Sequence, residues 1–429
     1  MTEKALLKLI EERGISVDTT DGRTVLHGEN TGTTKPNGPL TGKKIGLLVA
    51  PEFSDFQAYY LVEYLSELGA SVQFIGAEGA HWKYTRPTDP DKGLQGMWGM
   101  SLTPIPVLGE SRCTYIKLDE AKPADYDAIV TLGGHSADIL TTTEPALAFL
   151  SEAAEANVVL GAIGEGTLPL IWQRLVEGRK CTGNNIVSYM LRRLGEFVDE
   201  PVVRDGSLIT CRDTEHCGEF VREIARHFSP DFEDPYAGCL SGKRVVVIAG
   251  EDFEDIELVV PVLELLHRGA ELTLATFPAP MRARPPLLGL DVVMGNFGVS
   301  VPLQDIPGDR YRIAELASID SGDFDLVMIP GAFCPWNMVA AGSPIQWLRK
   351  VHGDGKLIAA ICHGAIPLSA AEIVEGRTIA GVGACRDHVS IMGGDFRADA
   401  SAVVDGTVIT GRVPPDVPEF LDAITLALS

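Results

Sequence analysis

The chain has 429 residues, 45% of them hydrophobic and 22% charged, a composition typical of globular proteins and a length that suits two domains with an extra segment. Asp and Glu number 59 against 36 Lys and Arg, which gives a formal net charge of -23. Because this charge repels phosphate backbones and anionic lipid, we expect neither nucleic acid nor a membrane as a partner. The sequence contains no run of about twenty apolar residues, so it predicts no transmembrane helix.

The N-terminal segment and the cysteines both favour a cytoplasmic protein. The first residues follow an amphipathic helical pattern and lack the basic start and continuous apolar core of a secretory signal. The eight cysteines are scattered, without a CxxC pair, so neither a disulfide framework nor a zinc site is indicated. We therefore expect a reducing compartment and no bound metal.

Residues 1–41 are predicted to form an N-terminal extension, a helix followed by a loop arm. The loop prediction rests on residues 19–42, which are rich in Gly, Thr and Asn, as turns and loops commonly are. Short β-branched runs then begin at Lys44 (KIGLLVA) and at Arg244 (RVVVIAG). Each run is followed by a helical pattern, which predicts a buried parallel strand that feeds a helix.

From these two runs onward, the chain is a tandem duplication. Alternating strand and helix patterns in each half predict a mostly parallel sheet with helices on both faces. We therefore expect two α/β domains, residues 42–228 and 242–429, whose irregular stretches (about 81–120 and 277–310) carry a hairpin or cover a site. The matching blocks are 51–72 with 251–272, 125–140 with 323–339, 157–170 with 355–368, and 203–213 with 403–413.

The sequence Cys362-His363-Gly364 stands between an apolar strand pattern that ends at Ile361 and a following helix. A nucleophile at such a turn lies at the carboxyl end of the sheet, where open α/β sheets bind ligands. Free amides and the dipole of the next helix predict a lowered thiol pKa. Cys362 could instead be a small buried hydrophobe at the end of a core strand, but the His and Gly that follow favour the nucleophile.

Acidic residues follow the first strand of the second half. Glu254 and Glu257 are three residues apart, so they share a helix face and either could approach Cys362. A carboxyl group held near a thiolate favours its protonated form and can shuttle protons. The alternative is that these acids only complement the helix dipole.

Small residues end another strand of the second half, at Gly331-Ala332. Small residues there let backbone amides approach a ligand, as an oxyanion hole requires, although a tight turn alone would also explain the glycine. Cys334 follows two residues later and is either a resolving thiol for an oxidised Cys362 or an ordinary loop cysteine.

The block AAICHGAIPLSAAEIVEGR, with EDFEDIEL and VVDGTVITGRVPPDVPEF, resembles the PfpI/ThiJ superfamily. This resemblance implies tandem flavodoxin-like doubly wound domains of the class I glutamine amidotransferase-like fold. It also implies that Cys362 is the nucleophile, that His363 helps in proton transfer, and that Glu254 or Glu257 contacts the thiol. Oxyanion or substrate binding is expected at Gly331, Ala332 and Gly364, with an amide of His363 contributing.

The first half resembles the same family in a degenerate form. Gly164 stands where the second half has Cys362, and Glu165 stands where it has His363. Ser54 and Gln57 replace the two candidate acids. We therefore expect no catalysis by this mechanism in the first half, whose remaining polar groups are loop residues or a second ligand site (Glu165, His135 and Asp138).

The second half departs from the family at one position. Some members have a histidine or tyrosine seven positions into the segment that begins GRTIAG, and this chain has Val382 there. The predicted proton relay therefore lacks a polar partner at this point.

The leading functional hypothesis is a cofactor-independent cysteine enzyme with a small-molecule substrate, best described as a glyoxalase III-like converter of 2-oxoaldehydes to 2-hydroxy acids. The alternative is a redox-sensing or chaperone-like stress protein in which Cys362 is oxidised. Isocyanide hydratase and peptidase activities rank lower. Single-domain relatives pair into dimers, so we expect the two halves to form an intrachain pseudo-dimer within a homo-oligomer.

Overall fold

Strands and helices alternate along both halves of the chain, and the computed structural model describes residues 2–28, 34–35, 37–77, 94–97, 113–281 and 292–429. The backbone divides into two units, Gly32–Asp234 and Met1–Thr31 with Pro235–Ser429. Below, Gly32–Asp234 is called the first domain, Pro235–Ser429 the second domain, and residues 2–28 the arm. The arm therefore belongs to the same unit as the second domain.

The first domain alternates apolar strands with helices. Its strands are β3 (Lys44–Val49), β4 (Ser71–Gly76), β5 (Cys113–Lys117), β6 (Ala128–Thr131), β7 (Val159–Ile163), β8 (Lys180–Cys181), β9 (Glu196–Phe197), β10 (Val202–Asp205) and β11 (Leu208–Cys211). Its helices are α2 (Asp55–Glu67), α3 (His135–Thr141), α4 (Glu144–Glu155), α5 (Leu168–Trp172), α6 (Ser188–Leu194) and α7 (Cys217–Phe228).

Seven of these strands form one sheet in the order β10-β11-β7-β6-β3-β4-β5. Every neighbouring pair in this sheet is parallel except β10 and β11, which form an antiparallel hairpin. Strands β6 and β7 are buried along their whole length, because helices cover both faces of a parallel sheet. The prediction of a doubly wound, mostly parallel fold is confirmed.

The second domain repeats this order. Its strands are β12 (Arg244–Ile248), β13 (Glu271–Thr276), β14 (Val293–Met294), β15 (Ser300–Val301), β16 (Arg312–Glu315), β17 (Leu326–Ile329), β18 (Leu357–Ile361), β19 (Thr378–Ala380), β20 (Asp395–Arg397), β21 (Ala402–Asp405) and β22 (Val408–Gly411). Its helices are α8 (Asp255–His267), α9 (Cys334–Ala341), α10 (Ser343–Gly353), α11 (Ala365–Ala370), α12 (Arg386–Ile391) and α13 (Val417–Leu428).

The main sheet of the second domain has two more strands than that of the first. Its order is β1-β2-β21-β22-β18-β17-β12-β13-β16, in which the arm adds β1 (Ser16–Thr20) and β2 (Arg23–His27) at the edge next to β21. After β12 the chain adds β13 and β16 on one side of this strand and then β17 and β18 on the other. The reversal of strand order at β12 makes it the switch point of the doubly wound sheet. The switch point brings the carboxyl ends of β12, β17 and β18 side by side.

The arm differs from the predicted loop. After α1 (Glu3–Glu12), strands β1 (Ser16–Thr20) and β2 (Arg23–His27) pair as an antiparallel hairpin. Asp21 and Gly22 form its two-residue turn with positive φ angles of 54° and 77°, and Asp-Gly is the pair that such turns favour. The loop prediction is therefore wrong for residues 19–27, which belong to this hairpin, because composition was given more weight than the local turn signal.

The arm also packs on the second domain through α1. Leu6 and Ile10 of this helix are fully buried. Arg13 follows the helix and contacts the buried carboxylate of Asp422 at 2.6 Å and the hydroxyl of Tyr236 at 3.0 Å. The arm is thus held by apolar burial, by strand pairing and by one buried ion pair.

Arg13→Ala is expected to destabilise this unit by about 2 kcal/mol, because a buried carboxylate loses a charged hydrogen-bond donor. Urea denaturation measures the change in free energy of unfolding. Lys8→Ala is the matched control, since its ion pair with Glu12 at 3.3 Å is exposed and is worth less than about 0.5 kcal/mol. Equal effects of the two substitutions would contradict the assigned role of Arg13.

The irregular stretch at 277–310 contains the short antiparallel ladder of β14 and β15, in agreement with the predicted hairpin. Most of the stretch at 81–120 lies outside the described residues. Among the described helices, none is long and apolar enough to cross a membrane. All eight cysteines are free thiols.

Candidate active site

Cys362 lies directly after β18, at the point where the chain turns into a helix. Its backbone is left-handed, with a φ of 59°, a conformation that costs about 1–2 kcal/mol for a residue with a side chain. The turn continues as one short 3-10 segment, Cys362–Gly364, and α11 follows. Such strain is typical of functional sites, and it directs the sulfur towards the carboxyl edge of the sheet. Only 7% of the residue is exposed.

Two other strands end beside this turn. Strand β17 is paired with β18 on one side and with β12 on the other, and all three run parallel. Gly331 therefore follows its strand next to Cys362, and a Cβ built on Gly331 would lie 3.1 Å from the Cys362 sulfur. The acidic residues after β12 complete the cluster.

The two candidate acids have different positions. Glu254 is the N-cap of α8, where its Oε2 accepts a hydrogen bond from Glu257 N–H at 2.8 Å. Glu257 lies one turn further along, and its Oε2 accepts a hydrogen bond from Gly331 N–H at 2.6 Å. The Glu257 carboxyl is thus held against the strand end that neighbours Cys362, and Glu254 stabilises the start of the helix that carries it.

Glu257 is fully buried. Its Oε1 has no hydrogen-bond partner of normal geometry in the described part of the chain, although the Cys362 thiol is close enough to lower the pKa of the carboxyl somewhat. Burial has the larger effect and raises the pKa of Glu257 to about 8. At neutral pH the carboxyl therefore carries a proton, which it can donate.

The thiol pKa differs from the sequence prediction. Burial raises the pKa of Cys362 well above its usual range, and the charge that Glu257 can carry raises it further. The backbone N–H of His363 points at the sulfur and acts in the opposite direction. The predicted lowering of the Cys362 pKa is therefore wrong. The cost of removing water from a thiolate exceeds the stabilisation that one amide and the dipole of a short helix provide.

His363 is the nearest basic group. Its Nδ1 lies 3.4 Å from the Cys362 sulfur. Burial, followed by the nearby His388, lowers the pKa of the ring. A neutral imidazole at neutral pH can accept the thiol proton, so sulfur, base and protonated acid lie in one cluster.

Among the residues predicted to bind an oxyanion, Gly331 donates its amide hydrogen to the Glu257 carboxyl, so this amide is already engaged. Ala332 has left-handed backbone with a φ of 54°, and no described residue accepts a hydrogen bond from its N–H. Gly364 has a packing reason to be glycine, since a Cβ there would approach Ile329 O to 3.0 Å. The amide of Ala332 therefore remains available to a substrate oxygen.

Three neighbours of the cluster were missed by the sequence analysis. The Cys385 thiol donates a hydrogen bond to the Cys362 carbonyl oxygen at 3.4 Å. His388 lies near His363, and Asp416 raises the pKa of Glu257. No sequence signal marked them, because all three lie far from Cys362 along the chain: Cys385 and His388 at the start of α12, and Asp416 just before α13. Cys334, the resolving thiol considered from the sequence, is buried. Burial raises the pKa of its thiol to about 12.

The first domain retains the backbone of this site. Gly164 has a φ of 54°, close to that of Cys362, although it has no side chain. Gln57 accepts a hydrogen bond from Gly133 N–H at 2.7 Å, as Glu257 does from Gly331. The geometry of the turn therefore persists without the thiol or the acid.

Glu165 fills the site of the first domain. Its Oε1 accepts a hydrogen bond from Gly134 N–H at 2.7 Å, and its Oε2 accepts one from Asn184 at 2.9 Å. Gly134 matches Ala332 in the duplication, so the amide that is open in the second domain already binds a carboxylate here. His135 is paired with Glu52 at 2.6 Å. Of the polar groups predicted as a second ligand site, Glu165 and His135 thus already have partners within the protein, and Asp138 is exposed.

Within the described residues, no group of three or more His, Cys, Asp or Glu side chains could hold a metal ion.

The doubly wound fold and the cysteine at its strand-to-helix turn define the class of this protein as a tandem α/β protein with a cysteine elbow. A family model described as the DJ-1/PfpI family matches residues 43–227 and 243–426. The chain therefore belongs to the DJ-1/PfpI family and contains two copies of its domain, as the sequence resemblance predicts.

Proteins from several organisms are similar to parts of this chain. "Protein DJ-1 homolog D" of Arabidopsis thaliana is 26% identical over 321 residues, which cover 72% of this chain and 79% of that protein. A deglycase of Pyrococcus abyssi is 27% identical over 174 residues, 41% of this chain and 92% of that protein. A solved two-domain protein of Anabaena variabilis with DJ-1/ThiJ/PfpI-like and ferritin-like domains is 22% identical, with a TM-score of 0.36, over 45% of this chain and 51% of that one.

Proposed function

We propose that the second domain is a cysteine enzyme that converts small 2-oxoaldehydes to 2-hydroxy acids without an external oxidant or reductant. The observation that carries this proposal is the cluster at Cys362, in which a thiol, a neutral base and a buried acid lie together. A proton shift within one substrate needs these three groups and a hydrogen-bond donor for the carbonyl oxygen.

The first step forms a bond between the Cys362 sulfur and the aldehyde carbon. His363 takes the thiol proton, since its Nδ1 is 3.4 Å from the sulfur and burial lowers its pKa. The aldehyde oxygen receives the proton of Glu257, which yields a hemithioacetal and leaves the Glu257 carboxylate as a base for the next step. The free N–H of Ala332 stabilises the negative charge that develops on this oxygen.

The second step moves a proton from the former aldehyde carbon to the adjacent ketone carbon, and the proton of the hemithioacetal hydroxyl passes to the ketone oxygen. Glu257 is suited to this transfer, because a carboxyl with a pKa of about 8 exchanges protons readily near neutral pH. The product is a thioester of a 2-hydroxy acid, so one carbon is oxidised and its neighbour is reduced. Water then cleaves the thioester, releasing the 2-hydroxy acid and restoring the thiol.

A substrate screen of the full chain tests this proposal. We expect methylglyoxal to be consumed with formation of lactate, and no dependence on added thiol. A glycated amine belongs in the same screen, because a relative is named a deglycase and the same thiol could attack such a substrate. If no 2-oxoaldehyde yields a 2-hydroxy acid above the rate without protein, the proposed reaction is wrong.

One observation favours the redox alternative. The Cys385 thiol contacts the Cys362 carbonyl oxygen. Burial and then the charge of Glu257 raise the pKa of the Cys385 thiol, as they do for Cys362, so the two thiols share one environment. Peroxide would oxidise Cys362 to a sulfenic acid and release water, and attack by Cys385 would release a second water and form a disulfide. Mass spectrometry after mild peroxide would detect that disulfide. Its formation without turnover of any aldehyde would favour the redox sensor.

A further inference from the structure

The second domain contains an open cavity between α9, α11 and α12. Its volume is about 280 Å³, and six of its nine lining residues are apolar. Ile391 at its rim is 81% exposed. A concave, mostly apolar surface with a few polar groups is typical of a site for a small ligand. We call it the α11–α12 cavity; the lining residues used here are Trp336, Ile366, Ala370 and His388.

Helix α11 connects this cavity to the catalytic turn. The helix begins three residues after Cys362. Ile366 and Ala370 line the cavity and, being four residues apart, lie on the same side of the helix. Ile366 follows Cys362 by four residues, which is about one helical turn or about 5.4 Å along the axis. The wall of the cavity therefore begins about one turn from the sulfur.

His388 connects the cavity to the base of the cluster. It lines the cavity, and its ring packs edge-on against that of Trp336 with centroids 5.3 Å apart. The charge that His388 can carry lowers the pKa of His363, after the larger effect of burial, so the two imidazoles are neighbours. His363 Nδ1 in turn lies 3.4 Å from the Cys362 sulfur. A substrate carbon bound to this sulfur therefore has the cavity within reach of a short substituent.

The first domain, which has no thiol at this turn, has different residues at the positions of the cavity wall. Asp138 stands where the second domain has Trp336, and Trp172 stands where it has Ala370. The aromatic wall and the small residue that leaves space beside it thus occur in the domain that has the thiol. This distribution is expected of a cavity that serves the reaction.

We propose that the α11–α12 cavity binds the apolar substituent of the substrate, so that the 2-oxoaldehydes converted at Cys362 carry an aromatic ring or a branched alkyl group on the ketone carbon. The inference rests on the proposed function and names its substrate class. A cavity of about 150 Å³ holds a benzene ring, so 280 Å³ has room for a substituted ring. Such a ring leaves water and packs against Trp336.

The test compares phenylglyoxal with methylglyoxal, which differ only in the substituent on the ketone carbon. We expect kcat/KM of the wild type to be at least about tenfold higher for phenylglyoxal, because burial of a ring is stabilised far more than burial of a methyl group. Ala370→Trp fills the cavity and should lower this ratio to about one by raising KM for phenylglyoxal. Its turnover of methylglyoxal should stay within about twofold of the wild type.

The chain supplies the control for this variant. Trp172 occupies the equivalent position at the end of α5, so the fold accepts a tryptophan there. Ala340→Trp introduces the same ring at an exposed position of α9 outside the cavity wall and should leave the ratio unchanged. The intrinsic reactivities of the two aldehydes cancel in these comparisons. If the wild type and Ala370→Trp convert methylglyoxal with the same ratio, the cavity assignment is wrong while the proposed reaction stands.

A second measurement does not depend on turnover. Acetophenone has the ring and the ketone but no aldehyde, so it can occupy the cavity without reacting at Cys362. At twice its Kd it should slow alkylation of Cys362 by iodoacetamide about threefold in the wild type and in Ala340→Trp, and it should give no protection in Ala370→Trp. An unchanged alkylation rate in the wild type would overturn the cavity assignment. Protection without turnover of either aldehyde would overturn the proposed reaction and leave the cavity as an apolar binding site.

Discussion

Cys362→Ala is expected to lower kcat/KM for 2-oxoaldehydes by at least about a thousandfold, because no covalent intermediate can form without the sulfur. Alanine at this position keeps the left-handed backbone (φ 59° at Cys362), so the turn itself is preserved. The rate of 2-hydroxy acid formation measures the effect. No residual turnover is expected from the first domain, where Gly164 has no side chain and Glu165 binds the amide of Gly134.

A second buried cysteine provides the control. Cys334→Ala removes a thiol from the same domain, and we expect kcat/KM to stay within about twofold of the wild type. Turnover that survives in Cys362→Ala would disprove the role of this sulfur. If that residual turnover then fell in Glu165→Ala, catalysis would have to be assigned to the first domain.

Glu257→Gln is expected to have opposite effects on turnover and on the thiol. Turnover should fall by about 10²–10⁴-fold, because glutamine cannot transfer the proton. Above about pH 8, alkylation of Cys362 by iodoacetamide should become faster, because wild-type Glu257 then carries a negative charge that, after burial, raises the thiol pKa further, and the variant lacks this charge. A purely structural defect would not produce this pair of changes.

Glutamine fits the site of Glu257, as the first domain demonstrates. Gln57 accepts a hydrogen bond from Gly133 N–H at 2.7 Å, and Glu257 accepts one from Gly331 N–H at 2.6 Å. The substitution therefore keeps the contact that holds the side chain. The mass of the Cys362 peptide, followed over time at several pH values, distinguishes its alkylation from that of the other cysteines.

The pH dependence follows from the direction of the Glu257 shift. Its pKa is about 8 in the folded protein against 4.5 for an unperturbed carboxyl. The free energy of unfolding therefore falls as the pH rises from about 4.5 to about 8. In this range the carboxyl is ionised in the unfolded chain but still protonated in the folded protein. Glu257→Gln should remove that loss, so its Tm should exceed that of the wild type at pH 8 more than at pH 5. An equal difference at both pH values would contradict the raised pKa.

Most of the fold was predictable because its signals are local. The apolar runs at Lys44 and Arg244 define strands by their own composition, and the matching blocks reveal the duplication without any tertiary contact. The junction of strand, Cys362 and helix is also local, so the turn could be identified from neighbours in the chain. The hairpin of the arm had a local signal too, Asp21-Gly22, and it was missed because the surrounding composition suggested a loop.

The remaining features depend on contacts between distant parts of the chain. The sequence pattern does not distinguish Glu254 from Glu257. Only the contact with Gly331, 74 residues away from Glu257, shows that Glu257 lies beside Cys362 whereas Glu254 is the N-cap of the helix. Whether the pKa of Cys362 is raised or lowered depends on how completely the folded domain removes water from the sulfur. Burial is a property of the whole domain, so the local sequence does not determine it. Cys385 and His388 reach the site for the same reason: residues far apart in sequence become neighbours when helices pack on the sheet, and no local spacing encodes that distance.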